Sequence, residues 1–399
     1  MPAKSKASFT PTLAVVYQSE PQAGGASTYE KNLSLMIRDL AIKNGILIVE
    51  LYPSGKKVKQ LFQNKGSQGD APRLNYKNGL LELSLMWILR SFPGRKLLAA
   101  IGVTRTKFEN GLIKKGVNCV YFASPNPLAL GISEIPMITT VWDLGHRDLP
   151  EYPEFSAFGR WQSRELYYSE TVPRSICIVT DSKATSEGIQ RHYGADPNRV
   201  VILGLLPRKT EPSENHHVVP SEPYIIYPAQ KWPHKNHKVL LQAMKILKDQ
   251  GRGLKLVLTG SDKGFGVQIS NWVKELGLEN DVIDLGFVAE RDLALLISKS
   301  KALAMPSRLG PTNLPPLEAL LLGVPTVVSE AHKFDAYPVE MVSFCNPDNP
   351  EQWAEAIHAS TSRNQAIKHG LDTLSERVAI ESLFKQVKKV FANAGGTYE

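Results

Sequence analysis

Residues 302–329 read ALAMPSRLGPTNLPPLEALLLGVPTVVS, and this stretch decides the fold. Ala302 to Met305 is a short apolar run that stops at Pro306, and Thr326 to Ser329 is a second, β-branched run. Each has the length of a buried strand and the segment between them has room for a helix, so together they form a βαβ unit with parallel strands. The start of the helix is heavily marked. Thr312 and Asn313 are good N-cap types, Pro315 and Pro316 suit a first turn whose N–H groups have no partner inside the helix, and Glu318 puts negative charge near the positive end. Gly323 and Pro325 mark its end. A helix N-terminus at the C-terminal end of a parallel strand gathers free N–H groups and the positive pole of the helix, which is where an α/β protein binds an anion. Strong capping also occurs in helices that bind nothing, so these residues alone leave both readings open.

The rest of the chain supplies the setting. A length of 399 residues suits two domains, or at most three, and 42% hydrophobic with 22% charged residues is ordinary for a globular protein rather than a disordered one. The net charge of +8 fits anionic partners. Lys and Arg are scattered and lack interleaved aromatics, which argues against nucleic acid. No run approaches the roughly 18 apolar residues of a membrane span, and MPAKSKASFT at the start has no apolar signal-peptide core, so a cytoplasmic protein is expected. Cys119, Cys177 and Cys345 are scattered beside apolar or β-branched residues and read as buried thiols. No Cys/His spacing suits zinc, and no Asp-x-Asp occurs.

In the first half, Thr12 to Tyr17 reads as a strand followed by a loop with the pair Gly24 and Gly25, then an amphipathic helix marked by Leu33, Met36, Ile37 and Leu40. A glycine pair there is either a plain turn or a place where backbone approaches a ligand. Gly45 to Tyr52 is a second strand, Leu80 to Ile88 a helix, and the polar stretch between them, with Lys56, Lys57 and Lys59, a long surface loop. That loop is either a solvated charge run or a contact for an anionic lipid surface. Cys119 to Ala123, Ile138 to Val141 and Ile176 to Thr180 are further strands. Asp143 and His146 fall just past the second of these, where an α/β fold places chemistry, although a lone His there is as often structural. Arg160, Arg164 and Arg174 serve an acceptor or only the surface. Asp181 or Ser182 caps the next helix, which Gly194 ends. Arg208 to Glu222 is polar and Pro-containing and reads as the interdomain linker.

The second half opens with a strand over Pro223 to Tyr227, a turn holding Gln230, Lys231 and Lys235, and an amphipathic helix with Val239, Leu240, Met244 and Leu247 inward. Leu256 to Thr259 is a strand. The glycines at 264 and 266 after it are no dinucleotide fingerprint, since the third glycine is missing and no helix is marked there. A strand over Val282 to Phe287 and a helix lead back to Ala302. Helices follow over Glu351 to His358 and Leu374 to Ala392. Two alternating series give an α/β fold of two Rossmann-like domains.

The run GPTNLPPLEALLLGVPTVVS resembles the donor-binding segment of retaining, GT-B-fold glycosyltransferases of family 4, the glycosyl transferases of group 1. That segment usually reads Glu, seven residues, Glu, then a small-residue helix and Gly-x-Pro. Glu318 matches the second Glu; Gly310 stands at the first. The Lys of the family's diphosphate clamp matches Lys235, while Gln230 stands at the expected Arg, leaving one charge to come from elsewhere, with Lys231 and Lys263 as candidates. The phrase TVWDLGHRDLPEYPEF resembles the family loop whose His holds sugar hydroxyls, which places that role on His146 and, more weakly, on Asp143.

The resemblance implies an acceptor domain over 1–208, a nucleotide-sugar domain over 209–375 facing it across a cleft, and a last helix over 376–399 passing back to the first domain. It also implies transfer of a hexose, such as mannose, glucose or rhamnose, from a nucleotide-diphosphate sugar to a glycan or lipid-linked acceptor in bacterial cell-surface polysaccharide synthesis. The nucleotide sugar is a co-substrate and no metal is required. His146, Lys235 and Glu318 are the expected catalytic groups. Gly24, Gly25, Gln230, Val288, Thr312, Asn313 and Leu314 join Lys235 and Glu318 at the donor, with Glu318 on the ribose and Val288 at the base. Two rivals share the fold: a phosphorylase or sugar-nucleotide epimerase, and a binding-only descendant without turnover. A peripheral place at the inner face of the membrane fits the charge.

Overall fold

The computed structural model describes residues 10–18, 25–53, 73–76, 105–203, 210–309, 314–332, 341–362 and 374–393. Gly24, Gly310, Pro311, Thr312, Asn313, the helix read over Leu80 to Ile88, and Lys56, Lys57 and Lys59 lie outside them. The chain divides into two compact units, one made of Met1–Leu144, Gln162–Gly204 and Leu374–Glu399, the other of Gly145–Trp161 and Leu205–Thr373. The second therefore takes in a segment that an expected boundary at 208 leaves in the first.

The first unit is built on strands β1 (Thr12–Val16), β2 (Leu47–Pro53), β3 (Arg73–Tyr76), β4 (Cys119–Phe122), β5 (Met137–Val141), β6 (Cys177–Thr180) and β7 (Val200–Ile202). They form one sheet in the order β3-β2-β1-β4-β5-β6-β7, and every pairing is parallel. The central strands β1, β4, β5 and β6 are buried along their whole length and read as largely apolar runs without alternation, as parallel strands covered on both faces do. Strand β3 corrects the reading of a continuous loop between β2 and the next helix. Its RLNY sequence has a single aliphatic residue, and its place is set by pairing with β2, Leu51 opposite Leu74. The three cysteines are buried free thiols. Ser182, not Asp181, caps the helix Lys183–Tyr193, accepting from the Thr185 N–H at 3.2 Å, and Gly194 ends it in the left-handed conformation at φ 62°. The terminal helix Leu374–Asn393 belongs to this unit, where Gln386 Nε2 donates to the Asn198 carbonyl at 3.2 Å.

The second unit holds β8 (Tyr224–Pro228), β9 (Lys255–Thr259), β10 (Val282–Asp284), β11 (Ala302–Met305), β12 (Thr326–Ser329) and β13 (Val342–Cys345), all parallel, in the order β10-β9-β8-β11-β12-β13. Its core packs Ile226, Leu240, Val257, Leu296, Val327 and Trp353 between sheet and helices. Chain order reverses at β8: it runs outward through β9 and β10 on one side and through β11, β12 and β13 on the other. Such a switch point leaves a crevice beyond the strand ends. The polar stretch read as a linker is bonded to this unit, with the Ser213 N–H donating to the Arg291 carbonyl at 3.0 Å and Thr210 Oγ1 to Glu290 Oε1 at 3.0 Å.

A helix over Gly266–Glu275 corrects the reading that none opens at the second glycine pair. Its N-cap position is Phe265, and the work of a cap is done from upstream by Asp262, whose Oδ1 accepts from the N–H groups of Gly264, Phe265 and Gly266 at 2.8, 3.1 and 3.0 Å. A Cβ on Gly266 would stand 2.5 Å from the Asp262 carboxylate, so the glycine is there to let the cap close.

Candidate functional site

The site is assembled where β8 and β11 end. Register sets these ends level across the sheet: Pro228 lies opposite Thr259, and Leu303 opposite Ile226. From β8 the chain enters the single 3-10 turn Pro233–Lys235, and from β11 it passes Ser307 and Arg308 toward the helix Leu314–Leu321. Lys235 and this helix therefore stand on the two sides of the switch point. A hydrogen bond joins the sides: Lys235 Nζ donates to Ser307 Oγ at 3.3 Å, and the buried Ser307 hydroxyl donates in turn to the Leu309 carbonyl at 2.8 Å.

The turn is held from several directions. Tyr227 Oη donates to the Lys235 carbonyl at 2.6 Å from below, and the Arg308 N–H donates to the His234 carbonyl at 2.9 Å. Asn236 takes the left-handed conformation at φ 55°, and its Nδ2 donates to the carbonyls of Pro347 at 2.8 Å and Pro306 at 3.3 Å. Asn is one of the few side-chain-bearing residues that adopt that conformation readily, so one residue both turns the chain and ties three strand ends together. Behind it His237 is buried beside Tyr227, and burial, then the Lys231 and Lys235 charges, push its pKa down to about 3. It is a neutral packing residue.

Gln230 and Lys231 are already engaged. Gln230 Oε1 accepts from the Trp232 indole at 3.0 Å, and the Lys231 ammonium, 9% exposed, pairs with the Asp284 carboxylate. Lys263 is exposed. On the other side of the switch point Leu314 is buried as the first residue of its helix, and Pro315 and Pro316 fill the first turn. Proline has no N–H, so two of the orphan donors such a terminus usually offers are missing; the macrodipole remains. Gly323, at φ 75°, ends the helix.

Glu318 is half-buried in the second turn of that helix. Burial, and then the nearby Glu290 charge, push its pKa up to about 7. Glu290 opens the helix Glu290–Lys299 as an acid in its first turn, with Ala289 as the cap residue. Val288, partly buried against the core, comes just before it. The structure thus gathers Lys235, Ser307, Leu314, Glu318 and the Val288 loop along one edge of one sheet.

His146 is fully buried on the short turn Gly145–Asp148, edge-on to Trp161 at 6.2 Å, and belongs to the same unit. Asp143 is in the first unit and pairs with Arg164. Arg174 is spent on structure, donating to the Ile132 carbonyl at 2.7 Å and the Glu170 carbonyl at 3.0 Å. Gly25 opens the helix Gly25–Lys43 after β1.

Sequence reasoning missed two groups. Glu30, buried in that helix, accepts from the Gln18 N–H past β1 at 3.1 Å and from Ser124 Oγ past β4, bridging the switch point of the first sheet. Glu154 bonds His234, next to Lys235. Glu30 carries no motif, and Glu154, though it lies in the quoted phrase TVWDLGHRDLPEYPEF, has nothing there to mark its partner; only the fold brings each to its partner.

The doubly built α/β architecture is that of the GT-B glycosyltransferases. HepE from Anabaena, solved in complex with UDP-glucose, superposes with a TM-score of 0.61 at 16% identity, covering 96% of this chain and 99% of that one. Residues 209–368, which lie in the second unit, match the family model of the glycosyl transferases, group 1. Among curated proteins, the O-antigen chain mannosyltransferase RfbU of Salmonella typhimurium is 25% identical over 187 residues, 47% of this chain and 51% of that protein. O-antigen chain mannosyltransferase B of Escherichia coli is 26% identical over 202 residues, 48% and 52% of the two. The chain thus matches about half the length of these curated relatives.

Proposed function

We propose that the protein is a retaining glycosyltransferase that moves a hexose from a nucleotide-diphosphate sugar to a hydroxyl of a glycan or lipid-linked acceptor, in bacterial cell-surface polysaccharide synthesis. The observation that carries this reading is the Lys235–Ser307 bond across the β8/β11 switch point, with the helix Leu314–Leu321 on the far side. The matched mannosyltransferases support the reaction class and the product, and HepE, solved with UDP-glucose, supports the donor class.

In this reading the diphosphate lies between Lys235 and the start of the helix at Leu314. The bond from the anomeric carbon to the β-phosphate oxygen breaks, and the charge that develops on the departing diphosphate is met by the Lys235 ammonium and the helix dipole. The acceptor oxygen attacks from the same face, and its proton passes to the departing phosphate. Glu318 accepts from the ribose hydroxyls, the backbone around Val288 holds the base, and His146 holds sugar hydroxyls. Thr312 and Asn313 are assigned to the sugar from sequence, in place of the carboxylate absent at Gly310. Charge stabilisation by Lys235 and the helix makes a metal dispensable. Among the described residues no three His, Cys, Asp or Glu side chains converge as ligands, and none of their helices is long and apolar enough to cross a membrane. We place the protein in the cytoplasm, peripheral at an anionic membrane surface.

The test is turnover of UDP-, GDP-, dTDP- and ADP-sugars with glycan and lipid-linked acceptors, followed by NMR of the product's anomeric configuration. Nucleotide release that depends on acceptor, with configuration kept, is expected. Conversion of the donor without acceptor would mean an epimerase, phosphate-dependent turnover a phosphorylase, and binding without turnover a binding-only protein.

A further inference from the structure

We propose that Glu154 is a positioning residue for this reaction: it latches the His146-bearing segment onto the turn that carries Lys235, and so fixes where the Lys235 ammonium stands. The inference rests on the reading of Lys235 as the group that meets the donor diphosphate.

One oxygen of Glu154 makes both bonds. Its Oε1 accepts from the His234 backbone N–H at 2.9 Å and lies 2.7 Å from His234 Nδ1. A carboxylate can only accept, so the proton sits on Nδ1 and the imidazole is held in one orientation. Both side chains are buried, Glu154 at 5% and His234 at 10% exposure, and the Phe155 ring packs on the imidazole at 5.1 Å. Burial pushes the Glu154 carboxyl up, but the side-chain and backbone bonds from His234 outweigh it and hold the group below the usual range, so it is ionised at neutral pH. His234 is the central residue of the turn Pro233–Lys235, and its carbonyl is taken by the Arg308 N–H on the other side. The turn is therefore gripped between segment 145–161 and the chain leaving β11.

The path from His146 to Glu154 has little slack. The Leu149 N–H bonds the Gly145 carbonyl at 2.9 Å, the Tyr152 N–H bonds the Leu149 carbonyl at 3.2 Å, and the Phe155 N–H bonds the Tyr152 carbonyl at 3.0 Å. A single carboxylate thus ties two segments that each supply a group to the proposed chemistry. Stability alone does not account for this choice of residue. Glu154 Oε2 is buried with no hydrogen-bond partner among the described residues, and such an atom destabilises the fold. What the charge contributes is a stiffer turn, because hydrogen bonds to an ionised acceptor are about twice as strong as neutral ones.

The experiment measures affinity of the full chain for UDP, GDP, dTDP and ADP, and for the nucleoside of whichever binds, in wild type, Glu154→Ala, Glu154→Gln, Lys235→Ala and the Glu154→Ala/Lys235→Ala double variant. Glu154→Ala should weaken the diphosphate by roughly ten- to a hundredfold while leaving the nucleoside unchanged, and Glu154→Gln, which keeps an acceptor oxygen but not the charge, should restore only part of the loss. In the Lys235→Ala background the Glu154 change should add nothing. Additive losses, equal losses for nucleoside and diphosphate, or full affinity in Glu154→Ala would overturn the latch while leaving the role of Lys235 standing. Full diphosphate affinity in Lys235→Ala, or no binding of any of the four by wild type, would overturn the underlying reading as well. If Glu154→Ala does not fold, Glu154→Asp, which keeps the charge and withdraws the oxygens by one methylene, carries the same comparison.

Discussion

In the proposed reading Lys235 meets the diphosphate, and its bond to Ser307 sets one part of its effect on folding apart from its effect on function. Losing the Ser307 contact should cost about 1 kcal/mol of stability, the usual net value of a single hydrogen bond. Losing the ammonium should cost far more in binding, because two of the N–H donors that would share the anion are replaced by Pro315 and Pro316. Lys235→Ala should therefore melt near wild type yet lose diphosphate affinity by at least about tenfold, a difference that calorimetry and a melting curve read together. Glu318 offers a second test. Its pKa is raised to about 7 from an ordinary 4.5, so the native protein holds this proton more tightly than the unfolded chain does. The stability it contributes is complete below about pH 4.5, falls as pH rises to about 7 and then stays level. Glu318→Gln cannot titrate, so urea unfolding from pH 4.5 to 8 should show the variant gaining on wild type across that window. Parallel curves would mean the carboxyl is not desolvated. If ribose hydroxyls donate to Glu318, binding favours its ionised form, and wild-type affinity should tighten as pH rises to about 7.

At the scale of elements, the strand ends of the second sheet are held by backbone conformations that few residues tolerate. Gly260 follows β9 at φ 119°, and a Cβ there would stand 2.3 Å from the Ala229 carbonyl oxygen in the loop leaving β8. Gly260→Ala should destabilise the protein by about 3 kcal/mol, through both the backbone strain and the forced separation of the loops, readable as a drop in the urea midpoint. Asn236 gives a subtler contrast. Asn236→Gly keeps the left-handed turn and loses only the bonds to Pro306 and Pro347, whereas Asn236→Ala loses both. The alanine variant should be less stable by about 1 kcal/mol than the glycine variant. The same elements explain what the sequence could and could not disclose. Strands β8, β11 and β12 were legible because a parallel strand covered on both faces is a continuous apolar run. Strand β3 was not, because its pairing comes from the neighbouring backbone rather than from its own side chains. The helix Gly266–Glu275 was missed because an Asp four positions upstream caps it, with no Ser, Thr or Glu in the usual places.

At the scale of the whole molecule, the net charge of +8 makes a prediction that any single residue does not. If the protein works against an anionic membrane surface, it should co-sediment with vesicles containing phosphatidylglycerol and not with neutral ones. The binding should vanish as salt shortens the screening length from about 10 Å at 0.1 M toward 3 Å at 1 M. Binding unaffected by salt would contradict the electrostatic account. The division into units also bears on how much of the site could be read. Lys235, Glu318 and Val288 were named through the family resemblance, which reads residues along one continuous half of the chain. Glu154 was not, because it reaches the same unit from a separate stretch, Gly145–Trp161, and its bond to His234 is between residues far apart in sequence.

The central claim is that a nucleotide diphosphate binds at the β8/β11 switch point, and a thermal-shift series tests it most directly. UDP, GDP, dTDP and ADP, each with its common sugar conjugates, are screened against wild type, Lys235→Ala and Glu318→Ala. A true donor present at about 100 times its dissociation constant adds roughly 2.7 kcal/mol to the native state. One base should stabilise wild type and lose that effect in both variants. No shift with any nucleotide, or an equal shift in all three proteins, would contradict the account.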